Sequence, residues 1–220
     1  MQLDPQQLAE RIARLAPEKR QAFAAALSAQ GYALSRLPIV AASEPGPHPL
    51  SWAQQRLWFL HCLDPQSGAY NMPAALRLRG SLDSAALQRS FDQLIDRHAI
   101  LRSTFDEVSG QPRQTVHASL PMPLTRADLS SIPAEQRAMR LQQLIDSESN
   151  RPFDLSQAPL RGLLAQLDVD EHVLILNAQH IVADGWSLSI LVKELTALYR
   201  AALEGRDRDL PALTIQYHDY

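Results

Sequence analysis

The 220-residue sequence has a single cysteine, Cys62, so no intramolecular disulfide can form. That removes the disulfide-stapled small domain as a class and fits a reducing compartment. Charge of one sign is missing too. Against 21 Lys and Arg stand 24 Asp and Glu, a formal net charge of −3, and the basic residues are scattered. Such a balance argues against a nucleic-acid surface. No apolar run nears the ~20 residues of a membrane-spanning helix. Met1-Gln2-Leu3-Asp4-Pro5 lacks the basic-then-apolar order of a signal peptide, so a cytoplasmic chain with no membrane partner is expected. Glycine is sparse, and neither a phosphate-cradling loop nor a Gly-x-Ser-x-Gly elbow occurs. His61-Cys62 has no second Cys/His pair at zinc-ligand spacing, so no metal site is expected. What is present is 45% apolar residues, enough for a sizeable core.

Helical spacing of Leu8, Ile12 and Leu15, with Asp4 as N-cap and Pro5 at the first helical position, predicts a helix. Pro17 restarts a second one, which Gly31 is placed to end. The loop Glu44-Pro45-Gly46-Pro47-His48-Pro49 then sets a boundary, giving a helical linker or docking segment over 1–44 and a domain over 45–220. Within that domain Ser51 caps a helix expected to bury Trp52, Leu57, Trp58 and Leu60. Leu76 onward alternates as a half-buried strand, and Asp83 caps a helix with Leu87, Phe91, Leu94 and Ile95 on one face. Ser109-Gly110 joins two strand-like runs as a hairpin, and residues 168–171 join a second pair. Helices are expected over 133–149 and 187–203, the latter capped by Ser187. The order favours α+β, helices packed on a largely antiparallel sheet.

One run stands out: Gln179-His180-Ile181-Val182-Ala183-Asp184-Gly185-Trp186-Ser187, between a strand-like stretch and the last helix. A histidine where a strand ends can take a proton from a nucleophile or orient it. An aspartate four residues on, beside a glycine that permits a sharp turn, can lock the geometry. Asp184 is expected to pair with an arginine and to act architecturally. Trp52, Trp58 and Trp186 read as core or interface residues.

Several segments taken together resemble the N-terminal lobe of a nonribosomal peptide synthetase condensation domain. Leu50-Ser51-Trp52-Ala53-Gln54-Gln55-Arg56-Leu57-Trp58-Phe59-Leu60 is similar to that family's first core motif. Arg97-His98-Ala99-Ile100-Leu101-Arg102-Ser103-Thr104-Phe105 is similar to the second, residues 179–187 to the HHxxxDG motif, and Tyr217-His218-Asp219-Tyr220 to the start of the fourth. Ala69-Tyr70-Asn71-Met72-Pro73 and Pro152-Phe153-Asp154-Leu155 also match the family.

The resemblance implies a chloramphenicol-acetyltransferase-like lobe with the second, C-terminal lobe absent. It implies amide formation between a donor acyl or peptidyl thioester and the α-amine of an acceptor aminoacyl thioester. No cofactor is expected to bind directly, because substrates arrive on the 4'-phosphopantetheine of carrier proteins. The implied partners are upstream and downstream peptidyl carrier protein domains, the C-terminal lobe and an adjacent adenylation domain. By position His180, Asp184 and Gly185 match the family's catalytic motif, with Gly185 a backbone donor to the tetrahedral intermediate. Gln179, Arg97, Arg102, Trp186 and Ser187 fall in supporting positions, with Arg97 or Arg102 the partner expected for Asp184. Ser51, Gln54 and Arg56 organise the lobe.

Two departures matter. Gln179 stands where the motif has its first histidine, and Gln can exchange hydrogen bonds but carries no charge. The sequence also ends within the fourth motif, so the isolated chain is expected to be inactive alone. Two alternatives remain: an epimerisation domain and a noncatalytic lobe that docks carrier proteins. A heterocyclisation domain is disfavoured, since that family carries an aspartate where His180 stands.

Overall fold

The computed structural model describes residues 4–15, 17–41, 46–206 and 210–219. The chain divides into two compact units, Met1–Gly46 with Ala212–Tyr220, and Pro47–Pro211. In the first, α1 (Pro5–Ala13) is capped as expected by Asp4, which accepts the Gln6 N–H, and it buries Leu8 and Ala9. α2 (Pro17–Ala29) stops at Gly31, whose φ of 83° suits only glycine readily. Arg20 bridges the helices by donating to the carbonyls of Ala13 and Leu15.

The second unit runs β1 (Pro47–Pro49), α3 (Trp52–Leu63), β2 (Asn71–Arg79), α4 (Ser84–Arg97), β3 (Ser103–Val108), β4 (Gln111–Val116), β5 (Thr125–Asp128), α5 (Ala134–Asn150), β6 (Leu160–Asp168), β7 (Glu171–Gln179) and α6 (Gly185–Leu203). Two sheets form, ordered β1-β4-β3 and β2-β7-β6-β5. All pairings are antiparallel except β5 with β6, a mixed α/β arrangement.

The four-stranded sheet is covered on both faces. Leu160, Leu164, Leu174, Leu176 and Ala178 turn toward Phe91, Leu94 and Ile95 of α4 and Leu191, Leu195 and Leu198 of α6. Leu163, Ala165, Leu167, Val173 and Ile175 turn the other way, toward Leu141, Leu144 and Ile145 of α5. This explains why β6 and β7 read as nearly unbroken apolar runs while β2, at the sheet edge, alternates. Both expected hairpins form. Ser109 and Gly110 have φ of 53° and 75°, the left-handed pair that a tight two-residue hairpin needs.

Two expectations are corrected, and one strand was not foreseen. The proline-rich stretch around His48 is an edge strand rather than a loop. Proline is tolerated there because an edge strand leaves alternate N–H positions unused. β5 went unforeseen, being only four residues long and parallel to its neighbour. Trp52 is 88% exposed rather than buried, because Gln54 and Leu57 hold the inward face of α3 and Trp52 lies opposite.

The turn after α3 is stapled to the end of α5. Asn71 Nδ2 donates to the carbonyls of Ser149 and Arg151, at 2.7 and 2.9 Å. Arg161 reaches the carbonyls of Pro152 and Arg151 and lies 3.7 Å over the Phe153 ring, so Arg161 and Asn71 share the Arg151 carbonyl. Gly68 packs closely against backbone here: a Cβ there would lie 2.7 Å from the Asn150 carbonyl oxygen. Backbone cannot yield as a side chain can. Gly68→Ala is therefore expected to cost about 1–3 kcal/mol, as overpacking does, read as a lower urea midpoint with an unchanged slope.

Candidate active site

β7 delivers the chain to His180, and main-chain hydrogen bonds fix the loop that begins there. Gln179 N–H donates to Pro159 O, His180 N–H to Tyr70 O, and Val182 N–H to Gln179 O, at 2.9, 2.9 and 3.0 Å. The Gln179 side chain is 5% exposed and turns inward, its Oε1 accepting the Ile181 N–H. Thus the residue in the place of the motif's first histidine serves the loop's own backbone. The His180 residue is exposed, and no described side chain hydrogen-bonds its ring.

The outer turn of this loop is held from α3. Gln54, 3% exposed, donates from Nε2 to Ile181 O at 3.3 Å and to Gln114 Oε1 at 3.2 Å. Its Oε1 accepts the Ser51 N–H while Ser51 Oγ accepts the Gln54 N–H, a reciprocal capping box. Gln114 continues to Ser103 Oγ, and Ser103 to Ala99 O. The first motif, the second motif and the HHxxxDG run are thereby joined by one buried polar chain. Sequence reasoning gave Gln54 an organising role but missed Gln114. The available signal was the Ser-x-x-Gln capping pattern, and nothing local marked its partner on β4.

Among the described residues Asp184 pairs with no arginine, unlike the expectation. Its Oδ1 accepts the Ser187 N–H at 2.7 Å and the Ser187 hydroxyl at 2.6 Å, making Asp184 the N-cap of α6. The helix therefore starts at Gly185, not Ser187. Arg97 donates instead to Glu194 Oε2 on α6, which also meets His98 Nε2 at 2.6 Å. Arg102 donates to the His117 carbonyl. A short aspartate next to free helix amides has a local partner already, so a distant guanidinium is not needed.

The Ser187 hydroxyl and N–H hold the Asp184 carboxyl below the usual carboxylate range, and the nearby His180 adds to this. Because its folded value lies below the ordinary 3.8, the charged cap contributes above that pH and is lost as acid titrates it below. Asp184→Ala is expected to cost about 1 kcal/mol of stability, whereas Asp184→Asn, an equally good cap, should cost little. Urea unfolding of the two variants near neutral pH checks this. The asparagine variant should also lose the acid-dependent share of the cap's contribution.

Gly185 is not in a left-handed conformation, and a Cβ there would meet nothing within 4 Å. The expected sharp turn is thus unnecessary; what glycine leaves is an open approach to a helix N-terminus. As the first residue of a 19-residue helix, Gly185 carries an N–H with no intrahelical acceptor. Trp186, beside it, is 78% exposed. Cys62 is exposed, and partial burial together with Glu107 raises its thiol pKa, the opposite of an activated thiolate. Among the described residues no cluster of three His, Cys, Asp or Glu could hold a metal ion.

Comparison with known proteins places this geometry in a family. The family model described as "Condensation domain" matches residues 46–220. The chain is 42% identical over 219 residues to phosphinothricin tripeptide synthetase PhsC of Streptomyces viridochromogenes, covering 97% of this chain and 20% of that one. It is 43% identical over 202 residues to malpibaldin synthetase of Mortierella alpina, covering 91% of this chain and 4% of that one. Among solved structures, the first condensation domain of the CDA synthetase matches with a TM-score of 0.70 and 25% identity, over 77% of this chain and 44% of that one. The X-domain from teicoplanin biosynthesis matches at 0.72 and 33%, over 83% and 39%. The chain belongs to the condensation-domain family of nonribosomal peptide synthetases. It spans a small fraction of the synthetases it matches and less than half of the solved domains.

Proposed function

We propose that this chain supplies the histidine-bearing side of a peptide-bond-forming site. The observation that carries the proposal is the exposed His180, held by its backbone at the end of β7 beside the open N-terminus of α6. The acceptor's α-amine attacks the donor thioester carbonyl; the C–N bond forms, the C–S bond breaks, and the amine's proton leaves through His180 or is steered by it. Negative charge developing on the carbonyl oxygen is met by the Gly185 N–H, a fixed donor that needs no reorganisation. Asp184 acts by setting where the helix begins, and Gln179 by fixing the loop from behind. Both thioesters are presented on the 4'-phosphopantetheine of carrier proteins, and an adjoining adenylation domain charges them. The setting is cytoplasmic, residues 1–44 act as a linker or docking segment, and residues 45–220 form the lobe.

The lobe needs its counterpart. A carrier-bound dipeptide assay should show no turnover by the 220-residue chain and clear turnover once it is fused to a cognate C-terminal lobe. Robust product from the chain alone would overturn that requirement. A second reading, a docking lobe without chemistry, has one observation in its favour: a matched structure is a complex of the X-domain with OxyB, at 31% identity and a TM-score of 0.72. The fused chain separates the two, since a docking lobe yields no product in either form.

A further inference from the structure

A second polar site lies at the other end of β7. His172 and His180 are eight residues apart, about 26 Å along an extended strand, so the two regions do not overlap. Strand register lines up Asp128 of β5, Gln166 of β6 and His172 of β7 in one row across the sheet. The three residues border a cavity of about 410 Å3, at the small end of the usual range for ligand sites. His172 is 8% exposed, and its Nδ1 has no hydrogen-bond partner. An unmet polar atom at such depth is destabilising, so the row is better suited to a ligand than to closure. Each of its residues can accept a hydrogen bond: a carboxylate oxygen, an amide oxygen and a ring nitrogen.

Donors face the same cavity from elsewhere. Arg126, two residues back along β5 on the same face, borders it and forms no ion pair or hydrogen bond with any described residue. Ser84, the first residue of the 14-residue α4, adds a hydroxyl, while the amides of Ala85 and Ala86 behind it are taken by the Asp83 cap. Arg126 and Asp128 thus carry opposite charges on one face of one strand without meeting. Asp128 is held by the Ser130 hydroxyl and N–H, which keep its carboxyl below the usual range and therefore charged. Leu82 and Leu164 supply an apolar wall.

We propose that this cavity binds a free amino acid with an aliphatic side chain, its ammonium on the Asp128–Gln166–His172 row and its carboxylate on Arg126 and the Ser84 hydroxyl. A plain anion site would leave the row of acceptors unexplained, and a plain cation site would leave Arg126 so. The proposal is independent of condensation chemistry, since its test needs neither carrier proteins nor a second lobe.

The test is titration of the 220-residue chain with L-leucine, followed by calorimetry and by amide shifts of Ser84, Arg126 and His172. Saturable millimolar binding is expected, with leucinamide (no carboxylate) and 4-methylpentanoate (no amine) each weaker by about tenfold or more. Arg126→Gln should weaken leucine by about tenfold and leave leucinamide unchanged, while Asp128→Asn should weaken leucine and leave 4-methylpentanoate unchanged. Both substitutions fall at exposed positions. Failure of leucine to shift these amides saturably overturns the proposal. So does equal binding of 4-methylpentanoate or inorganic phosphate, which makes the cavity a simple anion site.

Discussion

His180→Ala, introduced into a complete condensation domain, is expected to lower dipeptide formation by about 10²–10⁴-fold while leaving the fold intact. The imidazole is exposed and no described side chain hydrogen-bonds it, so its removal opens no cavity and strands no buried group. An exposed substitution of this kind shifts stability by no more than about 0.5 kcal/mol. The neighbouring supports are main-chain bonds to Tyr70 and Pro159 that alanine preserves. Mass-spectrometric product analysis and urea unfolding on the same preparation separate chemistry from folding. Unchanged product would show that His180 is dispensable. Gln179→His is the counterpart: it restores the motif's first letter and should leave product formation unchanged or raised. A deep loss from that change would mean that the inward hydrogen bond to Ile181 is more demanding than its position suggests.

Gln54→Leu is expected to have the largest effect on stability among the polar substitutions. It removes the side-chain half of the capping box and leaves Ile181 O and Gln114 Oε1 without their donor inside the protein. Each stranded buried group costs about 1–3 kcal/mol, so a loss of about 2–6 kcal/mol is expected. The loop that carries His180 also loses its only side-chain tie to α3 among the described residues. In a complete domain the product rate should therefore fall even at temperatures where the variant remains folded. Gln114→Leu should cost less, since Gln54 would still reach Ile181. The double variant should be less unstable than the sum of the singles, because one change removes the partner that the other strands. Strict additivity would show that the two glutamines do not act together.

The sequence carried most of this architecture because its signals were local. Asp4, Ser51 and Asp83 each sit directly before a helix and were readable as caps. Ser109-Gly110 announced its hairpin, and the apolar runs of β6 and β7 announced strands. What escaped were features decided by distant partners. β1 exists only because β4 lies beside it, and proline argued against a strand there. Arg97 finds Glu194, which is nearly one hundred residues away and carries no local mark. Asp184 shows the opposite error: the expectation of an arginine partner displaced the simpler local reading, an aspartate capping its own helix. In the candidate site, residues 179–185 were readable in the order of the letters, whereas the Gln54–Gln114 support behind them needed the fold.

That support also bears on exchanging parts between related synthetases. The loop at His180 is held by Tyr70 and Pro159 through carbonyl oxygens, which any parent sequence supplies, but by Gln54 through a side chain. A crossover placed between residues 70 and 159 therefore leaves most of the loop's anchors indifferent to parentage. The pair at 54 and 114 is sensitive to it. A hybrid that inherits a polar residue at one of these positions and an apolar one at the other buries an unanswered amide behind its reactive histidine. Chimeras joined before residue 54 or after residue 184 escape that penalty, so compatible junctions can be chosen by reading two letters.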